Sequence, residues 1–317
     1  MNSPTARPNC CWIDRGVAGP RNARDALREA AALLDFLLPE EARIEADVLL
    51  AHALGVARTA LYAHPDRQVP PDRLGVFREL LRRRADRVPL QYLTGRVSFM
   101  GFELKVDRRA LIPRPETEWL VEAALDHAPE GDGLRFADVG TGSGCIAIAL
   151  ARALPHAGGL ATDLSPDALV LAAENARRLG VGDRIAFLGG DLLEPVRRLG
   201  ATLDLICSNP PYVTAEEYAT LAPEIRDHEP RSALVAGEAG MAFYRRLFRE
   251  APACLRPDGV LAVELADSAC ASVVRLLGGV ADLEPVEVRR DLAGIERVLL
   301  ARRKGSWPSS RSRADSA

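Results

Sequence analysis

From residue 115 onward the chain alternates between short apolar runs and helical stretches, and no other feature limits the possible folds so much. LRFADV (134–139), GLATD (159–163), RIAFLG (184–189), LDLIC (203–207) and GVLAVEL (259–265) read as buried strands, most of them followed by a helix. Strands separated by helices pair in parallel, because the helix is the crossover that a parallel pair requires. The last two runs, PVEVRRD and ERVLLARR, are joined only by DLAGI, which suits an antiparallel hairpin and no crossover. The expected architecture is an α/β doubly wound sheet with a terminal antiparallel hairpin, one antiparallel strand being inserted near the end.

The region upstream has a helical period instead, which predicts a small all-α N-terminal domain. RDALREAAALLDFLL places Leu27, Ala30, Ala31, Leu34 and Leu38 on one stripe, and a second helix starts after Pro39 and stops at Gly55. A third, PDRLGVFRELLRRRADRV, turns Leu74, Phe77, Leu80 and Leu81 inward. Arg78, Arg82, Arg83, Arg84 and Arg87 lie on its outer side, as a solvated face or as a docking patch for an acidic partner. VSFMGFELKV (97–106) alternates and turns at Gly101, which predicts a short hairpin. The chain therefore divides into a leader (1–22), a helical domain (23–90), a β-hairpin linker (91–112), the α/β domain (113–303) and a Ser/Arg-rich tail (304–317). Leader and tail are expected to be disordered; four arginines against one acid over the first 24 residues give only a faint likeness to a transit peptide.

The 317 residues carry a net charge of −3, so strong non-specific nucleic-acid binding has no electrostatic basis. Nothing in the sequence approaches a transmembrane length. The six cysteines form no CxxC pair and no Cys/His cluster, so no metal site is expected, and Cys145, Cys207 and Cys254 read as core residues of a reducing compartment.

Asp138-Val139-Gly140-Thr141-Gly142-Ser143-Gly144 follows a strand and opens the helix CIAIALARAL. Its glycines allow a tight turn and a close backbone approach to a ligand. The spacing is G-x-G-x-G, not the G-x-G-x-x-G of pyrophosphate-binding dinucleotide folds. Asp163 ends the next strand, where an acid accepts hydrogen bonds from both hydroxyls of a ribose; Ser165 and Pro166 already cap the following helix, which leaves Asp163 free for that role. Asp191, after the third strand, is placed to edge an adenine but is equally at home as a turn residue. A parallel sheet with one antiparallel strand near its end is the architecture of the class I AdoMet-dependent methyltransferases, which would make S-adenosyl-L-methionine the cofactor.

SNPPYV (208–213) comes directly after the apolar LDLIC. Proline cannot donate to a sheet ladder, so the strand stops near Ser208 and Asn209, Pro210, Pro211 and Tyr212 sit at its carboxyl end, where open α/β sheets bind ligands. The Asn209 carboxamide oxygen and the Pro210 carbonyl can accept both hydrogens of a substrate NH₂ group, and Tyr212 can stack on the planar group bearing it. An amide nitrogen is a poor nucleophile because its lone pair is delocalised. Fixing both hydrogens aims that lone pair at a cofactor methyl, so catalysis is positioning and oriented dipoles, and the proton leaves after transfer.

With DVGTGSG, Asp163 and NPPY in this order, the C-terminal two thirds resembles the amino-methyltransferases that act on planar NH₂ groups, among them glutamine and adenine-N6 methyltransferases. Upstream, Arg84, Pro89, Gln91-Tyr92, Gly95, Phe99, Gly101 and the run Leu111-Ile112-Pro113-Arg114-Pro115-Glu116-Thr117-Glu118 resemble the peptide chain release factor glutamine methyltransferase family of the HemK/PrmC type. Glu229-Pro230, Ala233-Leu234-Val235-Ala236-Gly237, Gly240 and Asp291-Leu292-Ala293-Gly294 fit the same family. The resemblance covers roughly residues 25–303.

What it implies is a helical domain that recognises a class I release factor, and methylation of the glutamine amide in that factor's Gly-Gly-Gln loop by a cytoplasmic, monomeric enzyme without a membrane or stable nucleic-acid partner. Gly140, Thr141, Gly142, Ser143, Gly144, Asp163, Asp191, Leu192 and Asn209 would hold AdoMet, and Asn209 to Tyr212 the glutamine amide. The IPRPETE run would border the pocket, although Pro115, Glu116 and Glu118 are also what a stable helix start wants. Two positions depart from the family: Leu192 stands where an aromatic often packs on adenine, and Ile295 where an arginine is common. Rival readings are a ribosomal-protein glutamine methyltransferase, an adenine-N6 nucleic-acid methyltransferase and a non-catalytic AdoMet-binding subunit; the PRPETE run, the net charge and the intact NPPY weigh against them in turn.

Overall fold

The computed structural model describes residues 22–305 apart from 37–38, 130, 132, 237–239 and 268. The leader up to residue 21, the tail from 306, Leu38 and Gly237 lie outside the described residues. The chain forms two compact units, one of residues up to Gly95 together with Pro223–His228, the other of Arg96–Ala222 and the residues from Glu229 on.

The first unit is built of α1 (Ala23–Asp35), α2 (Ala42–Leu54), α3 (Arg58–Ala63), α4 (Pro71–Ala85) and α5 (Leu90–Thr94), with the short helix Pro223–Arg226. Asn22 caps α1 by accepting the Asp25 N–H at 2.9 Å, and α2 ends where Gly55 turns left-handed. Leu34, Leu49, Leu50, Phe77 and Leu81 share one core. The α1 stripe is rotated slightly from the expected one: Ala26, Ala30, Leu33 and Leu34 are buried, while Leu27 and Ala31 are half-buried.

The arginine face of α4 is not uniformly solvated. Arg84 is only 3% exposed, and its Nε and Nη2 grip the Glu45 carboxylate at 2.6 and 3.0 Å. Its Nη1 reaches Glu224 at 3.2 Å, which Arg87 also bonds at 2.9 Å. A buried guanidinium needs such a bidentate partner, and Glu45 comes from a different helix, out of reach of any local pattern. Arg82 pairs on the surface with Glu79 and Asp86.

The second unit opens with the hairpin β1 (Arg96–Phe99) and β2 (Phe102–Lys105), whose turn residues Met100 and Gly101 both have positive φ, as a twisted two-residue turn requires. Then follow α6 (Glu116–Asp126), β3 (Arg135–Val139), α7 (Cys145–Ala153), β4 (Gly158–Asp163), α8 (Pro166–Arg178), β5 (Ile185–Gly189), α9 (Glu194–Arg198), β6 (Leu203–Ser208), α10 (Ala215–Thr220), α11 (Ala242–Cys254), β7 (Leu255–Glu264), α12 (Cys270–Gly278), β8 (Leu283–Arg290) and β9 (Glu296–Arg303).

The large sheet has the order β5-β4-β3-β6-β7-β9-β8, parallel except for β9, which is antiparallel to both neighbours. This is the expected doubly wound sheet with its inserted antiparallel strand. One detail differs: β7 begins at Leu255 rather than Gly259, and its register on β6 shifts between Leu203 and Leu205. At that irregularity a Cβ on Gly259 would stand 2.9 Å from the Arg256 carbonyl oxygen, so glycine marks a bulge and not a strand start.

Alternate residues of each strand feed two cores, Phe136, Leu205 and Val298 on one face and Val139, Ile206 and Leu299 on the other. Cys145, Cys207, Cys254 and Cys270 are all buried thiols. Among the described residues no helix is long and apolar enough to cross a membrane, and no group of three or more His, Cys, Asp or Glu could hold a metal ion.

Candidate active site

Strand order reverses on either side of β3, since β4 lies to one side and β6 to the other. Loops leaving the carboxyl ends of such a pair diverge and leave a crevice. Here the diverging segments are the glycine loop after β3 and Asn209–Tyr212 after β6. The Ser208 hydroxyl ties the two together by donating to the Val139 carbonyl at 2.7 Å. Between them lies a cleft of about 260 Å³.

The glycine loop is held by its backbone. Gly140 and Thr141 both donate their N–H to the Thr162 carbonyl at 2.9 Å. Asp138 is fully buried beneath the loop and takes the Thr141 hydroxyl at 2.6 Å and the Ala147 N–H at 3.0 Å on Oδ2, while Oδ1 has no partner. Burial pushes its carboxyl up to about 7.

The three glycines serve different ends. Gly140 and Gly142 are left-handed and line the cleft, where an added Cβ would meet nothing nearer than Asn209 O at 4.0 Å and Ala110 Cβ at 3.9 Å. They present bare backbone to the cavity, a cradle that fits a nucleoside cofactor. Gly144 is not in the cleft lining; a Cβ there would press on Ala172 at 3.0 Å, so it is required for packing α7 on α8. Thr141 and Ser143 line the cleft.

Asp163 lies in the cleft at the end of β4 but is not free, as the local sequence suggested. Its Oδ2 accepts the Gly142 N–H at 2.9 Å and its Oδ1 the Ser165 N–H at 2.8 Å. Each carboxylate oxygen keeps a second lone pair, so the two bonds fix the carboxylate and leave it able to accept ribose hydroxyls. Ser165 does cap α8, accepting the Ala168 N–H at 3.2 Å.

Asp191 and Leu192 also line the cleft. Asp191 pairs with Arg246 of α11 at 2.6 Å. Leu192 is buried with φ 51°, a conformation costing a non-glycine residue about 1 kcal/mol or more, and its carbonyl is held by the Thr162 hydroxyl at 2.9 Å. The neighbouring aromatic comes from elsewhere: Phe243 of α11 lines the cleft and packs on the core cluster that contains Leu192.

On the opposite lip, Asn209 and Pro211 line the cleft, Pro210 is buried, and Tyr212 is half-buried outside the lining. Burial pushes the Tyr212 hydroxyl up to about 12. The segment is clamped from behind. Val213 and the 234–236 segment exchange backbone bonds at 2.9 Å, and a Cβ on Gly240 would stand 2.7 Å from the Tyr212 carbonyl oxygen. Glu229, itself buried, accepts the Ile112 N–H at 3.1 Å and pairs with Arg114 at 2.5 Å, placing the IPRPETE run at the cleft edge. In that run Glu118 accepts the Met100 N–H at 2.6 Å and so anchors the hairpin turn, whereas Thr117 turns to Asn209.

Sequence reasoning missed Glu264, Phe243 and Arg246. Glu264 was hidden within an apolar strand run, although an acid at the carboxyl end of a parallel strand was a signal. The other two stand on α11 with nothing local to mark them.

The model of the PrmC N-terminal domain matches residues 25–95, and that of the methyltransferase small domain matches 117–228. A release factor glutamine methyltransferase of Nitratidesulfovibrio vulgaris is 44% identical over 278 residues, covering 87% of this chain and 94% of its own. One of Deinococcus radiodurans is 43% identical over 285 residues, covering 89% and 99%. A third, of Rhodospirillum rubrum, is 39% identical over 302 residues, covering 93% and 91%.

Proposed function

Because the chain belongs to the release factor glutamine methyltransferase family, we propose that the cleft at the switch point is its catalytic site and that the target is the Gly-Gly-Gln loop glutamine of class I release factors. The enzyme transfers a methyl group from S-adenosyl-L-methionine to the side-chain amide nitrogen of a release-factor glutamine. The observation that carries the assignment of the site is the meeting of the glycine cradle and Asn209 across one cleft, with Gly140 beside the Asn209 backbone carbonyl.

On the cofactor lip, Gly140, Thr141, Gly142 and Ser143 present backbone to the ligand, with Gly144 supporting them through α8. The pinned Asp163 carboxylate would accept from the ribose. Asp191, Leu192 and Phe243 would enclose the adenine, Phe243 offering the aromatic side chain that position 192 lacks. When bound there, AdoMet supplies the electrophilic methyl.

On the amide lip, Asn209 Oδ1 and the Pro210 carbonyl each take one hydrogen of the glutamine NH₂, which turns the nitrogen lone pair toward the cofactor lip. Pro211 stiffens the turn and Tyr212 packs on the amide plane. With its hydroxyl pushed up to about 12, Tyr212 keeps its proton near neutrality and is not a base. None is needed before transfer: AdoMet held there would supply the methyl group, and the amide nitrogen that receives it would then release one proton to water.

The helical unit is the proposed recognition domain for the release factor. The protein is proposed to act as a monomer in the cytoplasm, where termination takes place. The relatives' names favour a release factor over a ribosomal protein or a nucleic acid. Labelled AdoMet offered with intact release factor, and with the same factor carrying Ala in place of the loop Gln, tests the reading. Label on the intact factor alone is expected; equal labelling of both would overturn the target assignment.

A further inference from the structure

Asn209 is not oriented by the NPPY turn alone. Its Nδ2 donates to the Thr117 Oγ1 at 3.0 Å, and the Thr117 hydroxyl donates to the Glu264 Oε2 at 2.7 Å. Both partners are sealed from water, Thr117 at 1% and Glu264 at 2% exposure. They come from α6 and the end of β7, 92 and 55 residues away from Asn209 in sequence.

The direction of this chain follows from donor chemistry. Above about pH 7 the Glu264 carboxylate is ionised and only accepts, so the single Thr117 proton must go to it. Thr117 Oγ1 is then an acceptor toward Asn209, and only the NH₂ end of the carboxamide satisfies it. Asn209 Oδ1, on the other branch, is left for the cleft that Asn209 lines. Were the amide turned over, an N–H would face an incoming N–H, and a buried oxygen would face another oxygen; each mismatch costs about 1–3 kcal/mol.

We infer that Thr117 and Glu264 are positioning residues for methyl transfer, a polarised relay that fixes which end of the Asn209 carboxamide meets the substrate amide. The inference rests on the assignment of Asn209 to the substrate amide given above. Neither residue touches the reacting atoms; they act by keeping an acceptor where an acceptor is needed. The buried ring of partners explains how a carboxylate is accommodated at the end of an otherwise apolar strand: Tyr244 holds its backbone carbonyl at 2.8 Å, and Thr117 and Asn209 engage its side chain.

The test is steady-state methylation of release factor in mildly alkaline buffer by the wild type, T117V, T117S and E264Q, with AdoMet affinity measured for each. T117V keeps the shape and removes the hydroxyl. E264Q keeps the shape and allows an NH₂ to face Thr117, reversing the relay. The expected result is a kcat lowered about 30-fold or more in T117V and E264Q, AdoMet affinity within about threefold of wild type, and T117S returned to within a few fold. Retention of the wild-type kcat in T117V would overturn the relay while leaving the active-site assignment standing. Loss of AdoMet binding in proportion to rate, or failure of T117S to restore it, would make the pair structural only. Absence of label with the wild type would overturn the assignment itself and the relay with it.

Discussion

The two lips of the cleft are built by different means. The cofactor lip is backbone: paired N–H groups on the Thr162 carbonyl, left-handed glycines, and an Asp163 carboxylate locked by two main-chain donors. Nearly all of it lies within two consecutive strand ends. The proposed amide lip would depend on the direction of one side chain, and Thr117 and Glu264 from distant elements bond that side chain in turn. A ligand held through many backbone contacts tolerates loss of any one, whereas a substrate amide aligned by two acceptors, one of them the Asn209 carboxamide, does not.

The difference can be broken most severely at Asn209. N209A is expected to lower kcat about 10³-fold, roughly 4 kcal/mol of transition-state stabilisation, with AdoMet affinity within a few fold of wild type. Equilibrium binding of the cofactor beside single-turnover rates checks the split. A parallel loss of both would mean that the lips do not act separately.

The relay also has a thermodynamic signature. Burial holds the Glu264 carboxyl up to about 7, its hydrogen bond from Thr117 and the charge of Arg297 opposing the shift and Glu116 adding to it. A carboxyl whose folded value lies above its unfolded one binds extra protons in the native state, so stability declines as pH rises from the unfolded value through about 7. E264Q lacks this decline. Its stability relative to wild type should therefore improve by up to about 3 kcal/mol between acid and mildly alkaline solution, read by urea unfolding at each pH. Asp138 titrates in the same range but is present in both proteins and cancels in the difference.

A smaller effect sharpens the backbone side of the comparison. G144A presses a methyl onto Ala172 in a left-handed turn, and about 2 kcal/mol of stability should be lost. G142A adds its methyl toward open cleft, so cofactor affinity should suffer more than melting temperature. Thermal denaturation with and without AdoMet separates the two variants, and equal behaviour would contradict the division of labour among the glycines.

Several parts of this arrangement are legible in the sequence. DVGTGSG, Asp163 and NPPY stand out because each is a matter of local geometry: a turn that excludes side chains, an acid ending a strand, a strand stopped by proline. The alternation of strands and helices, with DLAGI too short for a crossover, was enough for the sheet and its antiparallel strand. Position 192 was flagged as lacking its aromatic.

What the tertiary structure alone decided are relations between residues far apart in the chain. Arg84 reads as one of five arginines on a surface face, yet Glu45 on another helix makes it a buried ion. Glu229 gives no hint of closing on Ile112 and Arg114, nor α11 of delivering Phe243 to the cleft. Glu264 belongs with these, since its meaning lies in the direction of two hydrogen bonds. Periodicity and turn chemistry are properties of neighbours along the chain, and so the sequence determined the elements and the backbone half of the site. Charge pairing and hydrogen-bond polarity are properties of neighbours in space, and only folding brings those together.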